Sequence, residues 1–120
     1  MARSLNKVMV IGSLGREPEM RYMPDGQPVT SFSVGATRTW VDPEGRQCEE
    51  TEWFNVVAWG ELAEICKQRL CKEHQVYVEG RLQTRSWEDA QGKTCFRTEL
   101  VADEMILLDG SEGSSASAGE

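Results

Sequence analysis

Residues 51–71, TEWFNVVAWGELAEICKQRLC, hold two periodicities in one stretch. Up to Gly60 the period is two: Phe54, Val56 and Ala58 fall on one side, Trp53, Asn55, Val57 and Trp59 on the other. From Glu61 the period changes, with Leu62, Ile65 and Cys66 recurring at helical spacing and Arg69 and Leu70 continuing the row. A half-buried strand thus runs directly into a helix. The strand face that water should cover carries two indoles.

Upstream, LNKVMVIGSLG alternates around β-branched residues and reads as a first strand, while REPEMRYMPDGQPV, with its prolines and Asp25-Gly26, reads as a loop or hairpin connection. A second strand, VTSFSVGATRTW, sets Phe32, Val34 and Ala36 against Ser31, Ser33 and Gly35. VDPEGRQCEE is a charged hairpin tip leading into the third strand. After the helix, QVYVEGRLQTRSW returns to period two: Val76, Val78 and Leu82 point one way, Tyr77, Glu79, Arg81, Gln83, Arg85 and Trp87 the other. EDAQGK is a turn, and TCFRTELVADEMILL closes as a last strand or pair of strands. No internal repeat is expected.

Five strands with one helix between the third and fourth is the order of an all-β OB-fold, a small Greek-key barrel. A two-layer α+β sandwich shares that order. Closure fits better, because Gly12, Gly35 and Gly80 lie mid-strand, as sharply bent strands require. The expected organisation is one domain over residues 1–108. A disordered tail is expected over 109–120, whose DGSEGSSASAGE holds only Gly, Ser, Ala and acids.

Composition narrows the function classes. The chain has 120 residues, 39% of them hydrophobic and 28% charged, with no apolar run long enough for a transmembrane helix and no signal-peptide pattern. The expected location is the cytoplasm, at the nucleoid, with no membrane partner. Cys48, Cys66, Cys71 and Cys95 lack the spacing of a metal site and His74 is the only histidine, so no metal and no cofactor are expected. The sequence contains no nucleophile elbow, Walker loop or HExxH helix, and no enzymatic role is expected. Net charge is −7, and residues 1–108 still hold 13 basic against 17 acidic groups. Any polyanion site must then be a local basic surface.

All four tryptophans, Trp40, Trp53, Trp59 and Trp87, lie in or at the ends of the second, third and fourth strands. Arg38 stands two residues before Trp40, and Arg81 and Arg85 lie in line with Trp87. Cations interleaved with exposed rings suit a phosphate backbone with bases stacked between. The competing use of such rings is a protein interface. Among other cations, Arg3 and Lys7 flank the first strand, Arg16 and Arg21 border EPEMRYMPDG, and Lys67, Arg69 and Lys72 lie on or just after the helix. Lys67 and Arg69 read as a solvated helix face.

The run LNKVMVIGSLGREPEMRYMPDGQPVTSFSVGATRTW, with TEWFNVVAWGELAEI and QVYVEGRLQTRSWED in the same order and spacing, resembles the bacterial single-stranded DNA-binding proteins, from about residue 4 to residue 108. The resemblance implies an OB-fold homotetramer that wraps single-stranded DNA without sequence preference in replication, recombination and repair. By position, Trp40, Trp53 and Trp87 match that family's base-stacking tryptophans, and Trp59 falls where phenylalanine is common. Lys7, Arg21, Lys72 and Arg85 match basic positions near the DNA path, and Arg3 is a looser match. Tyr77, Glu79 and Gln83 fall on a surface used between dimers. Glu61, Ser86 and Val41 stand where cations are common, implying fewer phosphate contacts, and Phe54 stands where some members carry histidine. DGSEGSSASAGE lacks the family's acidic tip ending in Pro-Phe, through which replication and repair partners are recruited. The alternative is a primosome-type accessory OB protein acting mainly through protein contacts. An RNA chaperone is a third reading, since no residue selects against a 2′-hydroxyl.

Overall fold

The computed structural model describes residues 3–108; the expected tail over 109–120 lies outside them. Its elements are β1 (Val8–Leu14), β2 (Glu19–Tyr22), β3 (Pro28–Val41), β4 (Gln47–Trp59), α1 (Glu61–Arg69), β5 (Gln75–Glu88) and β6 (Thr94–Leu107). The strands form one sheet in the order β1-β5-β6-β4-β3-β2, and β1 also pairs with β3. That extra pairing, Ser13 opposite Gly35 and Leu14 opposite Val34, closes five strands into a barrel.

Closure depends on close backbone approach. A Cβ on Gly12 would lie 2.3 Å from the Gly35 carbonyl oxygen, and one on Gly80 would lie 2.0 Å from the Val101 carbonyl oxygen. Both glycines sit where one strand crosses tightly over another, as the mid-strand positions required.

The alternating residues fill the interior. Phe32, Val34, Val56, Ala58, Val76, Val78 and Leu100 are buried in one cluster with Cys66 and Leu70. Burial pushes the Cys66 thiol up to about 12. The helix buries Ala63 and Cys66, whereas Ile65, expected on the inner face, is exposed. The smaller side chain faces inward because α1 lies close on β3, where the Thr30 hydroxyl donates to the Ala63 carbonyl at 2.7 Å. Gly60, at φ 66°, makes the turn from β4 into α1.

Two features depart from the sequence reading. The connection after β1 contains the short strand β2, an arm hydrogen-bonded to β3 outside the closed ring. There is also an internal repeat. The pattern T-R-x-W-x-D-x-x-G-x-x-C-x-x-T-E runs from Thr37 to Glu52 and again from Thr84 to Glu99. Each copy forms a long hairpin leaving the barrel, with Trp40 opposite Cys48 in the first and Trp87 opposite Cys95 in the second. The tips share one lock. Asp42 Oδ1 accepts from the Glu44 and Arg46 amides at 3.0 and 2.8 Å, and Asp89 Oδ1 accepts from the Gln91 and Lys93 amides at 2.9 Å each. Gly45 and Gly92 follow at φ 83° and 80°.

Candidate nucleic-acid interface

The indoles are exposed on strands, not packed in the core. Trp53 is 56% accessible, Trp87 41%, Trp59 40% and Trp40 38%. On β4, Trp53 and Trp59 have the parity opposite to buried Val56 and Ala58, and on β5 Trp87 has the parity opposite to buried Val76 and Val78. These three follow the outward face of the barrel strands. Trp40 differs: it shares the parity of Phe32 and Val34 on β3, and is exposed because its hairpin has left the barrel.

Each position has a local cause. Trp53 stands opposite Gly35, and its ring lies over both Gly35 and Gly15: a Cβ there would meet Cζ3 at 2.7 and 2.6 Å. The two hairpin tryptophans carry the same partner. The Arg38 guanidinium lies 4.2 Å from the Trp40 ring centroid and that of Arg85 lies 5.2 Å from Trp87, both within cation–π range. In both hairpins this arginine stands two residues before the indole.

Next to Trp59 is a cleft of about 380 Å³. It is lined by Arg16, Glu19, Arg21 and Met23 from the β2 arm and its flanks, by Val29, Ser31 and Val57 of β3 and β4, and by Arg85, Arg97 and Glu99 of β5 and β6. Arg16 and Arg97 were not among the expected contacts. Arg97 becomes legible only through the β5–β6 register, which sets it opposite Arg85.

Most of the expected cations are held by carboxylates. Arg38 pairs with Glu50 at 3.1 Å, Arg81 with Asp103 at 3.9 Å and Arg85 with Glu99 at 3.1 Å. The Arg38 and Arg81 pairs are exposed, and such pairs are worth only about 0–1 kcal/mol; Glu99 is buried, so its pairing with Arg85 is the tighter one. Arg21 has no ion-pair partner among the described residues. Arg3 is exposed, and the Lys72 amide donates to Glu17 Oε2 at 3.1 Å.

Lys7 is paired in a separate cluster. Its ammonium is ion-paired to Glu79, which also accepts from the Tyr77 hydroxyl at 2.5 Å. The hydrogen bond from Lys7, then that from Tyr77, holds the Glu79 carboxyl below the usual range; the same bonds raise Lys7 and push Tyr77 up to about 12. Beside this cluster Met9, Ile11 and Ile106 are exposed, with Ile11 and Ile106 both opposite Tyr77. Gln83 is apart from Tyr77 and Glu79, beyond the irregularity at Gly80 and opposite Glu99.

Residues 5–108 match the sequence model of the Single-strand binding protein family. This chain belongs to that family. It is 50% identical over 109 residues to a protein of Chlorobaculum tepidum named single-stranded DNA-binding protein 1, covering 90% of this chain and 67% of the relative. A single-stranded DNA-binding protein of Neisseria meningitidis is 46% identical over 115 residues, covering 96% of this chain and 66% of that one. The chain thus spans about two thirds of the length of these relatives. Among solved structures, the Plasmodium falciparum SSB complex with ssDNA superposes with a TM-score of 0.81 at 30% identity, covering 91% of this chain and 99% of the other. The all-β OB barrel expected from the sequence is the fold observed.

Proposed function

We propose that this protein binds single-stranded DNA without sequence preference, protecting it in replication, recombination and repair. The observation that carries this reading is the outward alignment of Trp53, Trp59 and Trp87 along one face that also bears the arginine-lined cleft. Stacking on an indole is worth about 1–3 kcal/mol per base, and every base has a ring face to offer. Arginines beside the rings would hold phosphates, which positions the strand and reads no sequence. Trp40, on the other face of its hairpin, would take bases where the strand rounds the β3–β4 finger. Arg3, Lys7, Arg21, Arg38, Lys72, Arg81 and Arg85 are the cations proposed along the path. Binding is the proposed activity, with no reaction assigned, and it would act in the cytoplasm at the nucleoid.

The apolar strip of Met9, Ile11, Tyr77 and Ile106 supports a second proposal, that copies of the chain associate there as a homotetramer. Tyr77 and Glu79 lie on that strip; Gln83, beside the arginine cleft, is the weaker member of the set. The test of function is competition between unlabelled oligo(dT) and duplex DNA for a labelled mixed-sequence single strand. Displacement by oligo(dT) and not by duplex is expected. No binding to either would move the reading to an accessory protein of the primosome type, acting through protein contacts. Replication and repair proteins remain proposed partners in either case.

A further inference from the structure

We propose that the cleft walled by Arg16, Arg21, Arg85 and Arg97 is a phosphodiester-binding subsite, with Arg16 and Arg97 as contacts in their own right; this rests on the single-stranded DNA reading. Four guanidinium groups face two carboxylates there, in a chain whose net charge is −7. Arg85 and Arg97 stand directly opposite each other across β5 and β6. Like charges in that position repel, and only one carboxylate, Glu99, bridges them, at 3.1 and 3.9 Å. One negative charge cannot offset two. Arg16 Nη1 is shielded from solvent without a hydrogen-bond partner, its carboxylate neighbour Glu19 being 3.6 Å away. The guanidinium therefore keeps donor capacity that the protein does not use. A phosphate oxygen is the acceptor that suits such a planar fork.

The repeat supplies an internal control. In the β3–β4 hairpin the residue opposite Arg38 is Glu50, where the β5–β6 hairpin has Arg97 opposite Arg85. From Thr37 to Glu52 there are two basic and five acidic residues, and from Thr84 to Glu99 three of each. Both hairpins carry the same Arg–Trp stacking unit, yet only the second adjoins the arginine cleft. The electrostatic anchor of the strand is therefore assigned to the Trp59–Trp87 side, and the Trp40 finger contributes stacking with little charge.

The test titrates the full chain with oligo(dT) across a salt series, following tryptophan fluorescence. Arg16→Gln and Arg97→Gln should each make the slope of log K against log[salt] shallower by roughly 0.7, with full quenching retained. Glu99→Gln, nearly isosteric, should do the reverse: tighter binding and a steeper slope. Arg46→Gln, at the other hairpin tip and paired to Asp42 and Glu44, should leave the slope unchanged. Full quenching with wild-type slopes in both arginine variants and in Glu99→Gln would overturn the subsite and leave single-stranded DNA binding standing. No quenching in the wild-type protein would overturn both.

Discussion

Trp53 lies over its cross-strand partner Gly35, whose missing Cβ leaves the space that the indole fills; a methyl group there would come within 2.7 Å of Cζ3. The ring is thus seated on the backbone at Gly35 and Gly15 while the residue stays 56% accessible. Gly35→Ala should lift the indole from the surface without removing it. Loss of a stack worth about 1–3 kcal/mol corresponds to weaker oligo(dT) binding by roughly 5- to 150-fold. Wild-type affinity in a folded Gly35→Ala variant would show that the ring does not need this support.

Glu50 pairs with Arg38, the guanidinium over the Trp40 ring, and in the proposed complex would compete with phosphate for it. Glu50→Gln should release it and strengthen oligo(dT) binding several-fold at low salt, the gain fading as salt rises. A gain independent of salt would contradict an electrostatic cause.

The Lys7–Glu79–Tyr77 cluster gives stability a pH window. Glu79 is held below its ordinary value, so its contribution is present above the usual carboxylate range and is lost as pH falls through the depressed value. Lys7 is raised, so its share is present below its ordinary value and is lost as pH rises through the raised one. Tyr77, pushed up to about 12, behaves as Lys7 does. Denaturant midpoints should fall at both acid and alkaline extremes, and Glu79→Gln should flatten the acid limb. An acid limb unchanged in Glu79→Gln would remove the cluster from this role.

Thiol reactivity reports the packing of α1. Cys71 is exposed and Cys48 and Cys95 are half-buried, whereas Cys66 is fully buried with its thiol pushed up to about 12. A neutral disulfide reagent should modify three cysteines of the native protein and reach Cys66 only on unfolding. Rapid labelling of Cys66 would mean that the helix does not stay docked.

Much of this architecture was legible in the sequence because period reports burial directly. Phe54, Val56 and Ala58 announced the inner face of β4, and the change of period at Glu61 announced α1. What was not legible depends on pairing. β2 is too short to show a period and exists through its bonds to β3. Ile65 outranks Ala63 in hydrophobicity, yet close helix–sheet approach favours the smaller residue inside. The repeat of Thr37–Glu52 at Thr84–Glu99 stands in the sequence itself; what pairing adds is that Trp40–Cys48 and Trp87–Cys95 are equivalent positions on opposite strand parities. The carboxylates that hold the arginines were hidden for the same reason: Glu50 and Glu99 meet their partners across strands.

The most direct measurement is a tryptophan fluorescence titration with oligo(dT) of increasing length, at low and at high salt. Deep, saturable quenching that persists at high salt, with stoichiometry following oligonucleotide length, is the result predicted for indoles that act as stacking platforms. No quenching, or quenching abolished by modest salt, would contradict it and place Trp53, Trp59 and Trp87 in a protein interface.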